Sequence, residues 1–429
     1  MTRRREAILI VFSAVIAGAG TAAAAITLGR EVVSDTVGAV LTQLGAFGTV
    51  LWAITRWAPS ASRLLLAPAA FITAIGCIEV YRIDRDLGRI QRWWLVIAAV
   101  VGATVLYLLR DRGVLVLRRF RNLFLFAAVG LLLLPLLPDG LALAGAEVNG
   151  SRLWVRLDLG ERSISFQPGE AAKLLIVVFL ASYLADRWRA LAEMPRRLGA
   201  LRMPEPRQLA PILMAFGIAV VVLVYQRDLG ASLHLFVVFV VMLYLGTSRP
   251  SYLVAGGTMA AGGMYAAAAT FSHVQVRVEA WLRPFDDYTG SGYQAAQAVF
   301  SLGNGGVFGT GLGYGSPHLV PAAATDYVFV AIVEELGLAG GLALVAGYAL
   351  LVTAGFGIAL RSTDRFRSLL AAGLTVTIAA QTFIILAGVL RILPLTGITL
   401  PFASYGGSSL LANMALIALL ARISHEERA

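Results

Sequence analysis

Long apolar segments alternate with short polar ones along almost the whole chain. A bilayer core of roughly 30 Å needs about 20 apolar residues per spanning helix. On this measure we predict about twelve transmembrane helices. Their predicted positions are 7–29, 37–56, 64–81, 94–109, 122–137, 170–185, 208–225, 229–246, 251–270, 328–358, 367–390 and 403–421. This pattern predicts an all-α polytopic membrane protein without a separate soluble domain.

Composition supports the membrane prediction and excludes other classes of function. Hydrophobic residues make up 58% of the 429 residues and charged residues only 14%, whereas soluble domains carry about 25% charged residues. The net charge of +10 comes from arginine clusters between apolar segments, so nucleic-acid binding is not predicted. The four histidines and the single cysteine show no metal-ligand spacing, and no metal site is predicted from them.

Arginine placement predicts the orientation of the chain. If the N-terminus is cytoplasmic, 22 arginines fall inside and 12 outside, which satisfies the positive-inside rule. Segment 82–93 is an exception, with four arginines in a predicted outer loop. The first span also resembles a signal peptide, but a retained helix is favoured. We therefore predict that both termini are cytoplasmic and that loops 138–169 and 271–324 lie outside.

Charged residues inside predicted spans are candidates for function because such residues are costly in a bilayer. Glu170 and Lys173 are three residues apart, so they share one helical face, and Lys173 is the only lysine. They could form a self-neutralising ion pair, or they could contribute a compact cation to a site. Asp228 could cap the helix that follows it or serve a site. Glu334 and Glu335 are adjacent, so they are expected to point to different helix faces.

The loop 271–324 has the richest chemistry outside the predicted spans. Arg277 and Trp281 precede the carboxylates Asp286 and Asp287, and a Gly-Ser-Gly turn and a short predicted helix follow. Arginine suits phosphate, aromatic rings suit sugars, and one of two neighbouring carboxylates could act as a general base. The later glycine-rich run 303–315 reads as a flexible lid or as an ordinary loop with glycine turns.

Five blocks of the chain, in order, carry a recognisable pattern. The blocks are NGSRLW (149–154), FQPGEAAK (166–173), QRDLG (226–230), WLRPFDDYTGSGYQ (281–294) with TDYVFVAIVEELGLAG (325–340), and RILPLTGITLPFASYGGSSLLAN (391–413). Together they resemble the shape, elongation, division and sporulation (SEDS) proteins, the RodA/FtsW family of peptidoglycan glycosyltransferases. A RodA-like member is favoured. Arg227 replaces a family-typical proline, and Arg391 lies where many members have glycine.

The resemblance implies a ten-helix core, to which this chain adds about two N-terminal spans. We therefore divide the chain into 1–148, which includes the extra spans, and 149–429, the catalytic core with its extracytoplasmic loop 271–324. The implied localisation is the bacterial cytoplasmic membrane. The implied activity is the polymerisation of lipid II into glycan strands at the outer face of that membrane.

The same resemblance assigns roles to individual residues. It selects Asp287 over Asp286 as the catalytic general base. The residues expected to bind substrate are Arg152, Trp154, Glu170, Lys173, Asp228, Arg277, Gln294, Thr325, Asp326, Ser404 and Ser408. A divalent cation, Mg²⁺ or Mn²⁺, could assist the departing pyrophosphate. The implied partner is a class B penicillin-binding protein, which is a transpeptidase.

Two other functions stay open at this stage. A lipid II flippase or another transporter would also need buried charges, although transporters place them near the membrane midplane and often show inverted repeats. A scaffold of the elongation or division complex would need no catalytic carboxylate. The polar residues here cluster at the predicted outer rim and no repeat is evident, which favours the enzyme.

Overall fold

The computed structural model describes residues 2–138, 143–148, 151–158, 163–193, 196–198, 201–203 and 206–428. Helices account for most of these residues. The helices are α1 (Arg3–Thr27), α2 (Val32–Trp57), α3 (Leu66–Ile83), α4 (Arg85–Leu109), α5 (Leu115–Arg119), α6 (Arg121–Leu133), α7 (Pro168–Ala192), α8 (Pro206–Tyr225), α9 (Leu229–Thr247), α10 (Ser251–Thr270), α11 (Ser272–Leu282), α12 (Tyr293–Gly305), α13 (Val328–Arg361), α14 (Arg365–Val389) and α15 (Gly407–Glu426).

Each of the twelve predicted spans coincides with one helix in the described part of the chain. Nine of the described helices are long and apolar enough to cross a membrane, and α6 and part of α8 are shorter apolar helices. The remaining one, α10, is rich in alanine and glycine and packs mainly on α9. The prediction of an all-α polytopic membrane protein with about twelve spans is confirmed.

The core of the bundle lies around α14, most of whose residues are buried. It packs against α7, α9 and α13, while α15 packs against α4, and α2 joins α1 to α4. Many large apolar side chains on α1, α2, α4 and α13 are exposed instead. In a membrane protein such surfaces face the lipid chains.

The two ends of the bundle carry different parts of the chain. At the end that we call the terminal face, Arg3 donates to the carbonyl oxygen of Pro59 at 3.1 Å. The amide of Ser60 there donates to His425 Nδ1 at 3.3 Å, so both chain ends lie together. At the opposite end, which we call the loop face, Arg82 donates to the carbonyl oxygen of Gly315 at 2.7 Å.

The predicted outer loop 82–93 is wrong, because α4 begins at Arg85. Asp84 caps this helix by accepting hydrogen bonds from the amides of residues 86 and 87 at 2.8 and 3.0 Å. Arg85 and Arg89 then lie on one face and pair with the buried Asp35 of α2 at 2.8 and 3.3 Å. Helical spacing and this counter-charge explain how several arginines occupy the loop face.

The long predicted loops contain regular structure, of which the sequence indicated only the short helix α12. Strands β1 (Leu143–Val148), β2 (Ser151–Asp158) and β3 (Ser163–Phe166) form an antiparallel sheet within 138–169, and β4 (Arg196–Leu198) and β5 (Leu201–Met203) form a hairpin. Segment 271–324 contains α11 and α12. These small sheets add to the all-α fold, and the division of the chain at residue 149 stays a prediction.

Candidate active site at the loop face

Asp287 lies in the exposed turn between α11 and α12. Its Oδ2 accepts hydrogen bonds from the amide nitrogen of Ser291 at 2.7 Å and from the Ser291 hydroxyl at 2.9 Å. Asp286, in contrast, is exposed and has only a loose ion pair with Arg283, at 3.9 Å. The structure therefore separates the two neighbouring carboxylates, since only Asp287 is held in a defined position.

Steric constraints explain why glycine occupies positions 290 and 292, after Asp287. A Cβ atom at Gly290 would lie 2.4 Å from Asp287 Oδ2, and one at Gly292 would lie 2.1 Å from the carbonyl oxygen of Pro284. Neither distance is tolerable without movement of the turn. The Gly-Ser-Gly turn thus lets the backbone fold under the carboxylate while its serine orients it.

The hydrogen bonds to Asp287 also set its charge. The amide of Ser291 contributes most, followed by the Ser291 hydroxyl, and together they lower the pKa of Asp287 below its ordinary value despite some desolvation. The carboxylate is therefore ionised near neutral pH. A general base must start in this ionised form to accept a proton.

Arg277, Asp326 and Gly397 converge beside this turn. A Cβ atom at Gly397 would lie 3.6 Å from Asp326 Oδ2 and 3.9 Å from Arg277 Nη2. The φ angle of Gly397 is 75°, a left-handed conformation that glycine adopts without strain. Arg277 also donates to the carbonyl oxygen of Thr396 at 3.4 Å. The predicted residues Arg277 and Asp326 are thus brought together by the segment after α14.

A cavity of about 200 Å³ connects these residues to the turn that carries Asp287. Its polar lining includes Arg277, Ser291, Gln294, Asp326 and Arg391. Gln294 donates to the carbonyl oxygen of Pro321 at 2.9 Å, which fastens α12 to the segment before Asp326. The cavity therefore places a cation, a carboxylate and the serine that orients Asp287 around one small volume.

Asp326 should make the stability of the protein depend on pH. Protein atoms surround this residue although part of its surface is exposed, and the desolvation raises the pKa of Asp326 to about 6, against the opposing effects of Thr325 and Arg277. The Asp326 carboxyl group therefore binds a proton more tightly in the folded state than in the unfolded chain. This contribution to stability is complete below the unfolded pKa of about 4 and is lost as the pH rises through about 6.

We therefore expect Asp326→Asn to raise the thermal unfolding midpoint at pH 8 by a few degrees, since solvent screening limits the effect. The difference should shrink as the pH falls from 6 to 4. Intrinsic fluorescence of the purified protein in detergent, recorded at pH 4.5, 6 and 8, measures it. Asp286→Asn is the matched control, and an equal difference for both variants at all pH values would contradict the prediction.

A reciprocal contact between Trp281 and Arg391 closes one side of the site. Trp281 Nε1 donates to the carbonyl oxygen of Arg391 at 2.8 Å, and Arg391 Nη2 donates to the carbonyl oxygen of Trp281 at 2.6 Å. Arg391 has a φ of 59°, in the left-handed region that favours glycine. Sequence reasoning noted only that glycine is common at this position; the contact explains how an arginine is accommodated there.

Glu170 and Lys173 form the predicted pair in the first turns of α7. Lys173 Nζ donates to Glu170 Oε1 at 2.9 Å and to Gln381 Oε1 at 3.1 Å. Gln381 in turn donates to the carbonyl oxygen of Thr399 at 2.7 Å. Among the described residues these contacts use two of the three ammonium hydrogens. Gln381, which the sequence did not indicate as functional, orients the only lysine of the chain.

Asp228 serves as the predicted helix cap and also belongs to the electrostatic surroundings of the site. Its Oδ1 accepts a hydrogen bond from the amide of Ala231 at 2.8 Å. It interacts electrostatically with Lys173, Glu170 and Arg277. Asp228 can therefore cap the helix and serve the site at the same time. The preceding Arg227 has a φ of 61°, which the family-typical proline cannot adopt.

Other predicted binding residues make contacts within the fold. Ser404 donates to the carbonyl oxygen of Thr325 at 2.5 Å, and the hydroxyl of Ser408 accepts from the amide of Gln167 at 2.8 Å. The first contact joins the segment before α15 to the segment before α13, and the second joins the first turn of α15 to the N-cap of α7. Arg152 and Trp154 lie on β2, partly buried. The substrate-binding roles of all these residues stay predictions.

The glycine-rich run is fastened to α13. The amides of Gly313 and Gly315 donate to Glu335 at 2.8 and 3.2 Å, and the amide of Ser316 donates to Glu334 at 3.0 Å. Helix α13 breaks at Gly337, just after the two glutamates, with a φ of 71°, and both carboxylates contact this one segment. Glu335 also pairs with Arg82 at 2.6 Å. Both glutamates hold the run, which is therefore not a free lid. The expectation that they point to different helix faces stays a prediction.

An apolar groove of about 520 Å³ leads away from the polar cavity. Helices α8, α9, α10 and α11 and residues 393–396 form its walls, which include Phe236, Met259 and Leu393. Arg277 lines this groove as well as the polar cavity. One arginine therefore stands between a hydrophobic channel and a charged pocket, an arrangement that suits a lipid with a phosphate headgroup.

A model of the family FTSW_RODA_SPOVE, described as "Cell cycle protein", matches residues 61–429. The chain belongs to this family. The matched region contains ten of the twelve described helices that coincide with predicted spans, and α1 and α2 precede it. The ten-helix core with two additional N-terminal spans is thereby confirmed.

Curated relatives indicate the branch of the family. The chain is 40% identical to "Peptidoglycan glycosyltransferase RodA" of Mycobacterium tuberculosis over 99% of this chain and 91% of the relative. It is 33% identical to "Probable peptidoglycan glycosyltransferase FtsW" of Geobacter sulfurreducens over 65% and 72%. The predictions of a RodA-like member, of a glycosyltransferase and of a multi-pass protein of the bacterial cytoplasmic membrane are confirmed.

Solved structures resemble the fold. A chain described under "Structural coordination of polymerization and crosslinking by a peptidoglycan synthase complex" aligns with a TM-score of 0.69 and 25% identity, over 86% of this chain and 98% of that chain. The crystal structure of the rod shape determining protein RodA of Thermus thermophilus aligns with a TM-score of 0.58 and 25% identity over the same shares.

Proposed function

We propose that this glycosyltransferase polymerises lipid II at the loop face, with Asp287 as the general base. The observation that carries the proposal is the position of Arg277, which lines both the polar cavity and the apolar groove. A polyprenyl chain in the groove would deliver its pyrophosphate to Arg277. The sugars would then lie in the cavity next to Ser291, the residue that orients Asp287.

The reaction needs one proton transfer and one bond exchange. Asp287 takes the proton of the 4-hydroxyl of the acceptor sugar as that oxygen attacks the anomeric carbon of the donor. The bond from this carbon to the pyrophosphate oxygen breaks, and the lipid pyrophosphate leaves with its electron pair. Positive charge from Arg277 stabilises this leaving group, and Lys173 contributes at the far side through its unused hydrogen.

A divalent cation, if one takes part, would be carried by the pyrophosphate. In the described part of the chain, no group of three or more His, Cys, Asp or Glu side chains is placed to hold a metal ion. The described residues thus offer no such group for a resident Mg²⁺ or Mn²⁺. The steps above accordingly use only the side chains of the protein.

The proposal includes an orientation and a partner. Both termini face the cytoplasm, so the loop face is extracytoplasmic, in agreement with the arginine distribution. The partner is a class B penicillin-binding protein. A chain similar to this one belongs to a peptidoglycan synthase complex that coordinates polymerization and crosslinking, which supports a transpeptidase partner on the same face.

A polymerisation assay and a translocation assay test the proposal together. The purified protein and its transpeptidase partner are given fluorescent lipid II in detergent, and separately lipid II is placed inside liposomes containing the protein. We expect glycan polymer in the first assay and no transport in the second. Translocation without polymer would favour the flippase, and neither activity would favour the scaffold.

A further inference from the structure

A second groove lies at the other end of the bundle, between α1, α3 and α13. Its volume is about 1100 Å³, larger than the pockets of about 300–1,000 Å³ that hold drug-sized ligands. The apolar walls include Leu9 and Phe12 of α1, Phe71 of α3, and Ala346 and Leu350 of α13. We call it the terminal-face groove, and it shares no lining residue with the active site.

Arginines surround the mouth of the terminal-face groove. Arg63, Arg361 and Arg428 line it, and none of its lining residues is acidic. Arg361 ends α13, and Arg428 follows α15, so both lie at the membrane boundary of the terminal face. Burial and the neighbouring charges of Arg361 and Arg63 lower the pKa of Arg428, which reflects how closely these cations gather.

The acidic side chains nearby are committed to other partners. Glu427 pairs with Arg367 at 3.1 Å, and Glu426 pairs with Arg367 and Arg422 at 3.2 and 2.8 Å. Glu6 pairs with Arg3 at 2.6 Å. None of these carboxylates forms an ion pair with Arg361 or Arg428, so the charge of these two arginines is available to an external anion.

The rim of the groove is held in place before any ligand arrives. Arg3 donates to the carbonyl oxygens of Pro59 and Ala61, both at 3.1 Å. The amide of Ser62 donates to the hydroxyl of Ser424 at 2.9 Å. The segment that carries Arg63 is thereby fastened to α1 on one side and to α15 on the other, so binding would require little ordering of the chain.

We propose that the terminal-face groove binds one anionic glycerophospholipid from the adjacent membrane leaflet. Its phosphate lies among Arg63, Arg361 and Arg428, and its acyl chains lie along α1 and α13. Basic pockets between transmembrane helices recognise such headgroups through charge, while apolar walls hold the chains. Since α1 precedes the matched family region and lines the groove, the site assigns a role to the first of the additional N-terminal spans.

The charge of the headgroup is tested by native mass spectrometry of the full-length protein. Delipidated protein is titrated with phosphatidylglycerol or with phosphatidylcholine of the same acyl composition. Wild type should prefer phosphatidylglycerol. Arg361→Gln/Arg428→Gln should weaken phosphatidylglycerol binding about 25-fold, at about fivefold per arginine. Unchanged phosphatidylcholine binding in this variant would show that the fold is intact.

The matched charge control is Arg56→Gln/Arg112→Gln, which removes two exposed arginines that do not line the groove. It should bind both lipids as wild type does. Equal affinity of wild type for the two lipids, or equal loss in the two double variants, would overturn the proposal. Failure of wild type to retain either lipid would overturn it as well.

The acyl part of the site is tested by filling the groove. Ala346 and Ala349 are both exposed on α13, but only Ala346 lines the groove. Ala346→Phe should abolish binding of phosphatidylglycerol, and Ala349→Phe should leave it unchanged. Retention of the lipid by Ala346→Phe would show that it binds elsewhere on the surface.

Discussion

Asp287→Asn should reduce the rate of lipid II polymerisation by about 10²- to 10⁴-fold, the usual contribution of a general base. The amide can still accept the hydrogen bonds that Ser291 donates at 2.7 and 2.9 Å. It cannot take a proton from the acceptor sugar. The loss should therefore appear in the rate and not in the folding of the turn. Gel analysis of glycan strands made from fluorescent lipid II measures it.

Two neighbouring substitutions give this prediction its controls. Asp286→Asn removes an exposed carboxylate whose ion pair with Arg283 is 3.9 Å long, and it should leave polymerisation close to wild type. Ser291→Ala should reduce the rate by a smaller factor than Asp287→Asn, because the carboxylate remains but loses one orienting bond. Normal polymerisation by Asp287→Asn would remove Asp287 from the catalytic role.

Lys173→Met should both destabilise the protein and abolish polymerisation. The substitution leaves Glu170 buried without its cation at 2.9 Å, and breaking a buried pair in this way costs about 3–5 kcal/mol. It also removes the ammonium that we place near the leaving group. A thermal unfolding scan and the lipid II assay, run on the same preparation, measure the two effects.

A double variant separates these two effects. Glu170→Gln/Lys173→Met replaces both charges, and it should recover most of the stability because no unpaired charge remains. We expect it to make no polymer. Recovery of stability and polymer together would show that the pair is only structural. Lys173→Arg should restore activity poorly, since a planar guanidinium does not replace an ammonium held between Glu170 and Gln381.

The sequence predicted the membrane topology well because a bilayer imposes a simple rule on each segment. Helix length and apolar content can be read from local residues, whereas the break in α13 at Gly337 was not predicted. The start of α4 was missed for a physical reason. Its arginines look like loop residues until Asp35 of α2 is known to lie beside them, and that contact is remote in sequence.

The candidate site was predictable in part. A family resemblance and local chemistry selected Asp287 and Lys173, but not the side chains that orient them at a distance. Gln381 is 208 residues from Lys173 along the chain, and Arg391 is 110 residues from Trp281. No local pattern encodes such pairs, because they exist only once α14 and the following segment pack beside α7 and α11.

For this protein, the order of apolar segments and the local motifs determined the number of spans, the loop that carries the carboxylates and the family. Tertiary structure decided which groups meet. It placed Arg277 between a polar cavity and an apolar groove, fastened the glycine-rich run to Glu334 and Glu335, and gathered Arg361 and Arg428 at the terminal-face groove. The reason is that each apolar segment enters the lipid bilayer according to its own residues. A site, in contrast, depends on packing between segments that are far apart in the chain.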